Sequence, residues 1–347
     1  MTGQVAPNFS IQIAHSVNEL VPAAWDKLSA DRPFQSYRWY QFGERVMSDC
    51  EPSYLLAYRD GLLIGRATLW NIRNEPLPKM PALARKALLA AIKKWPLLIC
   101  RSPLSFTSGI TLADKADRKE VLSALSTSAL ELARRQKAFF LVFDYLNAAD
   151  SNDLSAYLTT TTNPSPGTMM ENRWESLEDY FLSGNKKDRQ HHKRVQREAE
   201  KLGIQIERHS HVGQIEDALL LIRNVESNHG ALPNPWAHQM LENMEMVNGL
   251  FLTATIGKRL VGCGLLLEDN GSQMTSMLGL ADNVPYTYFM LVYESLKIAF
   301  EHKVRFLRWG SGAYDIKQRL GFSFEDNGSL AFSHPNPTLQ NLIRRLM

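Results

Sequence analysis

The stretch "FLTATIGKRLVG" runs from Phe251 to Gly262, and "LLAYRDGLLIG" runs from Leu55 to Gly65. With an offset of 197 residues, Leu55 matches Leu252, Ala57 matches Ala254, and Ile64-Gly65 match Val261-Gly262. Each stretch is an apolar strand, a turn at Asp60-Gly61 or Gly257-Lys258, and a second apolar strand, which is a hairpin pattern. Upstream, "IQIAHS" from Ile11 and "IQIERHS" from Ile204 place Ile11 and Ile204 at equivalent positions. Each is followed by an amphipathic helical stretch, "NELVPAAWDKLSA" or "VGQIEDALLLIRNVE". Downstream, "LELARRQKAFFLVFDY" from Leu130 matches "LKIAFEHKVRFLRWGS" from Leu296, with Lys137 on Lys303 and an offset of 166. Three matches in one order predict a duplication. The change of offset predicts extra residues in the first copy, and Asn74 to Pro103 is the expected insertion.

A chain of 347 residues suits two domains, and 44% hydrophobic with 22% charged residues is a globular composition. No uninterrupted apolar run is long enough to cross a bilayer, and the N-terminus lacks the basic-then-apolar order of a secretory signal. Cys50, Cys100 and Cys263 form no CxxC pair, which argues against a disulfide framework or zinc knuckle and for a cytoplasmic location. No GxSxG elbow or HExxH frame occurs, so neither a serine triad nor a metal site is expected.

In the second copy, "NVPYTYFMLVYESLKIAFEH" predicts a long helix with Pro285 in its first turn and Tyr288, Leu291, Val292, Ser295, Leu296 and Ala299 on one stripe. The order strand, helix, hairpin, strand, long helix, strand resembles the GNAT acyltransferase fold. Its duplication resembles the FemAB-like peptidoglycan-bridge aminoacyltransferases and their acyltransferase relatives. The resemblance is most specific in "HKVRFLRWGSGAYDIKQRLGF" (His302 to Phe322). It implies an α/β fold with mixed sheets, a tandem duplication of a GNAT-like domain. The first domain is expected at 1–170 with its insertion near 74–103, and the second at 171–347, preceded by a basic helix at 185–202.

The resemblance also implies site residues. Related enzymes often carry a general-acid tyrosine four residues before the closing glycine; here Lys317 holds that position, with Tyr314 and Asp315 one turn earlier. A lysine can stabilise the oxyanion of acyl transfer, although an exposed lysine on a short helix reads equally as solvated surface. For the base that takes the amine's proton, Glu226, with Asn228 and His229 beside it in "VESNHG", and Asp144 in "VFDY" are candidates, and the sequence does not choose between them. The start of the long helix, Tyr286, Thr287 and Tyr288, is the expected cofactor-binding segment, since helix N-termini hold phosphates. No QxxGxG spacing accompanies it in "LGLADNVPYTYF". No cofactor is assigned firmly: acyl-CoA and aminoacyl-tRNA both remain as donors, and the first copy is expected to have lost donor binding.

Between the copies, 185–202 holds seven Lys or Arg against three acids. Lys186, Arg189, Lys193 and Arg197 follow three-and-four spacing, which suits phosphates on a tRNA, a precursor or a lipid headgroup, and suits a solvated helix face as well. "PALARKALLAAIKKWPLLIC" mixes Arg85, Lys86, Lys93 and Lys94 with Leu88, Leu89, Ile92 and Trp95. It reads as an interfacial helix with peripheral membrane contact, or as a buried helix and strand with snorkelling lysines.

Taken together, these features predict an N-acyltransferase that moves an acyl or aminoacyl group to an amine acceptor, a small molecule or a lipid-linked cell-envelope precursor. An acetyl-CoA-dependent N-acetyltransferase and a non-catalytic GNAT-like binding module are the alternatives. The sequence leaves the oligomeric state open.

Overall fold

The computed structural model describes residues 9–77, 81–162 and 165–346. In chain order the first copy folds as β1 (Phe9–Ala14), α1 (Pro22–Ser29), α2 (Tyr37–Val46), β2 (Glu51–Arg59), β3 (Leu62–Ile72), α3 (Ala82–Lys94), β4 (Leu97–Cys100), β5 (Ile110–Leu112), α4 (Arg118–Arg135), β6 (Phe140–Leu146), α5 (Ala148–Leu154) and β7 (Thr159–Thr162). The second copy continues with β8 (Thr168–Glu171), α6 (Leu177–Ser183), α7 (Lys186–Lys201), β9 (Ile204–His209), α8 (Ile215–Asn228), α9 (Ala237–Asn243), β10 (Leu250–Ile256), β11 (Arg259–Asp269), β12 (Ser272–Leu280), α10 (Thr287–Glu301), β13 (Phe306–Trp309), α11 (Tyr314–Arg319) and β14 (Ser323–Phe324). Last come β15 (Ser329–Ser333) and α12 (Pro337–Leu346).

The strands form two mixed sheets, ordered β1-β2-β3-β4-β6-β15-β7, with β5 on β3, and β14-β8-β13-β12-β11-β10-β9. Laid side by side, the orders correspond strand for strand, so the fold is the duplicated GNAT-like α/β fold. The hairpins show the likeness in detail. Ala57 faces Gly65 and Tyr58 faces Leu63, with a bulge between; Ala254 faces Gly262 and Thr255 faces Leu260, with a bulge at the same step. Gly61 and Gly257 turn these hairpins with φ of 79° and 59°, values that glycine adopts without strain. Because a bulge re-aims every later side chain, a shared one ties the two registers together.

One pairing corrects the text match. Ile11 faces Ala57, whereas the partner of Ala254 is Ile206. Ile11 is therefore equivalent to Ile206, and the matched hexamers are displaced by two residues. A slip of two keeps each side chain on its own face of the strand, which is why the pattern survived it.

The extra residues of the first copy are divided. Ile72 pairs with Leu97 where Asp269 pairs with Ser272, so most of them lie in the connection that carries α3. Leu97–Cys100 is a buried core strand, equivalent to the start of β12. A second addition, between Cys100 and Ile110, interrupts the strand that runs unbroken as β12 in the other sheet. Of the expected insertion, residues 78–80 lie outside the described residues.

The described residues fall into two compact units, one of 9–75, 81–162, 165–166 and 325–346 and the other of 76–77 and 167–324. The expected contiguous division at 170/171 differs from this for a topological reason. β8 lies between β13 and β14 in the second sheet, and β15 lies between β6 and β7 in the first. β8, next after β7 in the chain, thus joins the second sheet, and β15, next after β14, joins the first.

In the second unit, helices cover both faces of the sheet. Side chains of adjacent strand residues point to opposite faces. A Cβ on Gly262 would meet Thr287 of α10 at 2.4 Å, while the thiol of neighbouring Cys263 faces the Ala218 carbonyl of α8. α10 buries Leu291, Val292, Ser295, Leu296 and Ala299 as the periodicity predicts. It starts at Thr287 rather than around Pro285, because Tyr286 at its N-cap takes a left-handed φ of 71°.

Candidate active site

The start of α10 is built unusually. A bulky residue with positive φ is uncommon, yet Tyr286 adopts it after Asn283 at φ 60°. The helix has no side-chain cap at this end. Thr287 is buried, and its Oγ1 has no hydrogen-bond partner. A helix N-terminus presents unpaired amide donors and the positive end of the macrodipole. The loop leading to it is held by α8: Asn224 Nδ2 donates to Leu280 O at 2.7 Å and to Asp282 Oδ1 at 3.0 Å, and Asn228 Nδ2 also reaches Asp282 at 3.3 Å. Nothing in the residue pattern had marked Asn224.

Beside this helix start, the sheet opens. β12 pairs with β13 in parallel only from Ser272 to Thr275, then continues to Leu280 past the end of β13 at Trp309. Ser276 is skipped in the pairing of β11 with β12, a bulge at the point of divergence.

Lys317 stands next to the end of β13. It is 7% exposed, and its ammonium donates to the carbonyls of Gly310 and Ser311. The lysine is thus buried and tied to the loop after β13, unlike the solvated reading of its short helix. Tyr314 opens α11 with its ring edge-on to Phe324 at 5.0 Å, and Asp315 is exposed on the same turn.

Glu226 lies elsewhere. Its carboxylate accepts from Arg223 at 2.6 Å and from the Asn234 amide at 2.9 Å, closing the loop after α8. α8 covers the face of the sheet opposite α10, whereas Ile316 of α11 packs into the cluster containing Val292 and Leu296 of α10. The structure therefore groups Lys317, Tyr314 and Asp315 with the α10 face and sets Glu226 on the other. Asp144 belongs to the first unit, where burial raises its carboxyl above the ordinary range.

Along α10 runs a groove of about 900 Å³, lined by Lys186, Lys187, Asp188, His191 and Arg194 of α7, Phe289 and Tyr293 of α10, and Ile316 and Arg319 of α11, among others. Its lining holds four Lys or Arg and one acid, over an aromatic floor. The expected stripe is split. Lys186 lines this groove, while Arg189 and Lys193 line a smaller one of about 490 Å³ on the other side of α7. Arg189 caps α6 through the Gly184 and Leu182 carbonyls, and Arg197 pairs with Glu198 at 2.9 Å. Burial of Val195 and Ala199 sets the rotation of α7, and it turns Lys187 and Arg194 into the large groove. Charge spacing alone missed those two.

His191 Nδ1 lies 2.9 Å from the Tyr293 hydroxyl, and His192 stacks on Phe181 with centroids 3.9 Å apart. Burial lowers both imidazole pKa values, that of His192 to about 4, so both are neutral at pH 7. Among the described residues no cluster has the ligands for a metal ion, and no helix is long and apolar enough to cross a membrane.

A family model, FemAB-like, described as peptidoglycan biosynthesis/recognition, matches residues 16–347. No curated protein matches the sequence. Among solved structures, the crystal structure of FemX superimposes with a TM-score of 0.64 at 14% identity, over 96% of this chain and 99% of that one. A tandem GNAT protein from the clavulanic acid biosynthesis pathway superimposes with a TM-score of 0.58 at 12% identity, over 94% and 99% of the two chains. These likenesses are of fold.

Proposed function

The chain belongs to the FemAB-like family of peptidoglycan biosynthesis or recognition, and from that premise we propose that it transfers an aminoacyl group from tRNA to an amine of a peptidoglycan precursor. The observation that carries the proposal is the uncapped start of α10, with the unpartnered Thr287 hydroxyl, opening beside a groove rich in Lys and Arg. Backbone amides there offer donors to a phosphate, and Lys186, Lys187, Arg194 and Arg319 extend the positive field along the groove. Such a groove suits the successive phosphates of a tRNA end; CoA, with a pyrophosphate and a 3′-phosphate, is the competing donor that the transfer assay separates. Within the opening between β12 and β13, the amine would attack the ester carbonyl, forming the amide as the ester C–O bond breaks; the terminal ribose of the tRNA leaves as its hydroxyl, taking up the proton that the amine gives up. Lys317 would fix the Gly310-Ser311 loop and place positive charge near the developing oxyanion. Glu226, tied to Arg223 and Asn234, has a structural part in this reading.

The test is transfer of a radiolabelled amino acid from a pool of charged tRNA to a lipid-linked peptidoglycan precursor, run beside labelled acetyl-CoA. Label from tRNA appearing on the precursor is expected. Transfer from acetyl-CoA alone would replace the donor assignment, and no transfer from either, with no binding of either, would leave the protein as a binding module.

A further inference from the structure

Independently of the transfer reaction, we propose that one end of the first unit docks on an anionic lipid bilayer surface through α3 and α12. The sheet fixes the geometry. β4 and β6 both start at this end, with Leu97 beside Phe140, and β15 finishes there with Ser333 opposite Leu141. α3 therefore ends, and α12 begins, at the same edge. The Phe139 amide donates to Pro96 O at 2.7 Å, the Phe139 ring lies 6.3 Å from that of His334, and Arg134 Nε donates to Pro335 O at 3.2 Å.

Both helices expose apolar side chains. Ile92 is the buried residue of α3, whereas Leu83 is 82% and Trp95 41% exposed. On α12, Gln340 is buried and bonds to Thr159 and the His334 amide, which anchors one face of the helix. Leu339 and Leu342, at 45% and 53% exposure, stand outside it. Between them the two helices carry Arg85, Lys86, Lys93, Lys94, Arg344 and Arg345, and no acid. The last turn of α4 and the residues just after it add the exposed Arg135 and Lys137 against Glu131.

Cations and exposed leucines on the same two helices select the occupant. A nucleic acid would use the charge and leave the leucines in water, and a second copy would bring like charge against like charge. A bilayer with anionic headgroups satisfies both, the lysines and arginines at the headgroups and Leu83, Trp95, Leu339 and Leu342 at the acyl boundary. An amphipathic pair in the plane of the surface needs no spanning segment.

The experiment is flotation of the full chain with vesicles of phosphatidylcholine, with and without phosphatidylglycerol. Binding is expected only with the anionic lipid and should fall with added salt. Each cation near such a surface is worth roughly a fivefold change in affinity, so Lys93→Glu with Lys94→Glu should weaken binding at least about tenfold. Leu83→Ser with Leu342→Ser, checked for unchanged circular dichroism, should weaken vesicle binding while keeping all the charge. No flotation with anionic vesicles, equal flotation with neutral ones, or wild-type flotation after both serine substitutions would overturn the proposal. So would a dimer in sedimentation that Leu342→Ser dissociates.

Discussion

The two units carry equivalent long helices, α4 and α10, and their first turns are opposites. At α4 the Asp117 carboxylate caps the helix, accepting from the Glu120 amide at 3.1 Å, and Arg118 pairs with Asp150 and Asp153. At α10 the cap is Tyr286, whose side chain offers nothing to the amides. The neighbouring sheets differ in the same sense. Where β12 parts from β13, the first unit inserts its own chain between Cys100 and Ile110. Phe106 of that segment lies edge-on to Tyr145 of β6, and Trp39 Nε1 donates to Pro103 O at 2.9 Å. Duplication left one copy with an uncapped helix start, where the proposed function seats a phosphate, and one whose helix start is capped by its own carboxylate and whose sheet gap is filled by its own loop. Filling a site gains stability, and leaving one open keeps donors available to a ligand.

The first unit's conversion to structure is deepest at Arg66. It is fully buried on β3, with its guanidinium 3.6 Å above the Trp25 ring and hydrogen-bonded to Ser29 Oγ and to both oxygens of Gln35. The hairpin offset puts Cys263 at the equivalent place. Burial lowers the Arg66 pKa to about 10, so it stays charged at neutral pH. Arg66→Met should therefore cost about 3 kcal/mol or more in denaturant unfolding, because it strips hydrogen bonds from buried acceptors. A loss below about 1 kcal/mol would show that the first unit does not depend on this cation.

Next in size is a graft that makes the second unit resemble the first. Tyr286→Asp sets a carboxylate at the start of α10, where α4 has Asp117, and aspartate tolerates the left-handed backbone. If the open N-terminus holds a phosphate, donor affinity should fall by about a hundredfold from like-charge repulsion. Unchanged transfer kinetics in the folded variant would remove α10 from the donor site.

How far the sequence carried this contrast depends on what kind of signal each feature leaves. The hairpins were legible because alternation, a turn glycine and two small apolar residues recur in step. The placement of β8 and β15 was not, since a short strand such as "TMME" looks the same whichever sheet receives it. Lys317 was found by position, but its burial depends on the fold of Gly310 and Ser311 beneath it. Lys187 and Arg194 were missed because the rotation of α7 is set by Val195 and Ala199 rather than by its charges. The open cap at Tyr286 left only a faint trace, the absence of Ser, Asp or Asn at a position where helices usually have one.

The converse of the graft is smaller. Asp117→Ala should lower stability by about 1 kcal/mol, the usual worth of an N-cap, and leave turnover unchanged. A fall in turnover equal to that of the graft would mean that both helix starts serve the reaction.

Smallest, and most specific to the second unit, is the response to acid. α7 packs on α10 through His191 and His192, and burial, followed by the neighbouring His191 and Lys193, lowers the His192 pKa to about 4 from an ordinary 6.5. The unfolded chain takes up a proton below pH 6.5 that the folded chain refuses until about pH 4. The stabilising effect of the neutral ring is therefore complete above 6.5, and it is lost as the pH falls from 6.5 towards 4. His191, lowered in the same direction, adds to the loss. Part of the His192 ring meets water, so the effect is a modest fall in the urea midpoint. Carboxylates throughout the chain also respond in this range, so the informative quantity is local. Amides of α7 should exchange faster at pH 5 than at pH 7 relative to those of α4, whose helix packs without a half-buried histidine pair. His192→Gln should flatten that difference. Should α4 loosen as much as α7, or the glutamine variant keep the full slope, the acid response would belong to the whole chain, and the stacked imidazole on Phe181 would not be what holds α7 over the groove.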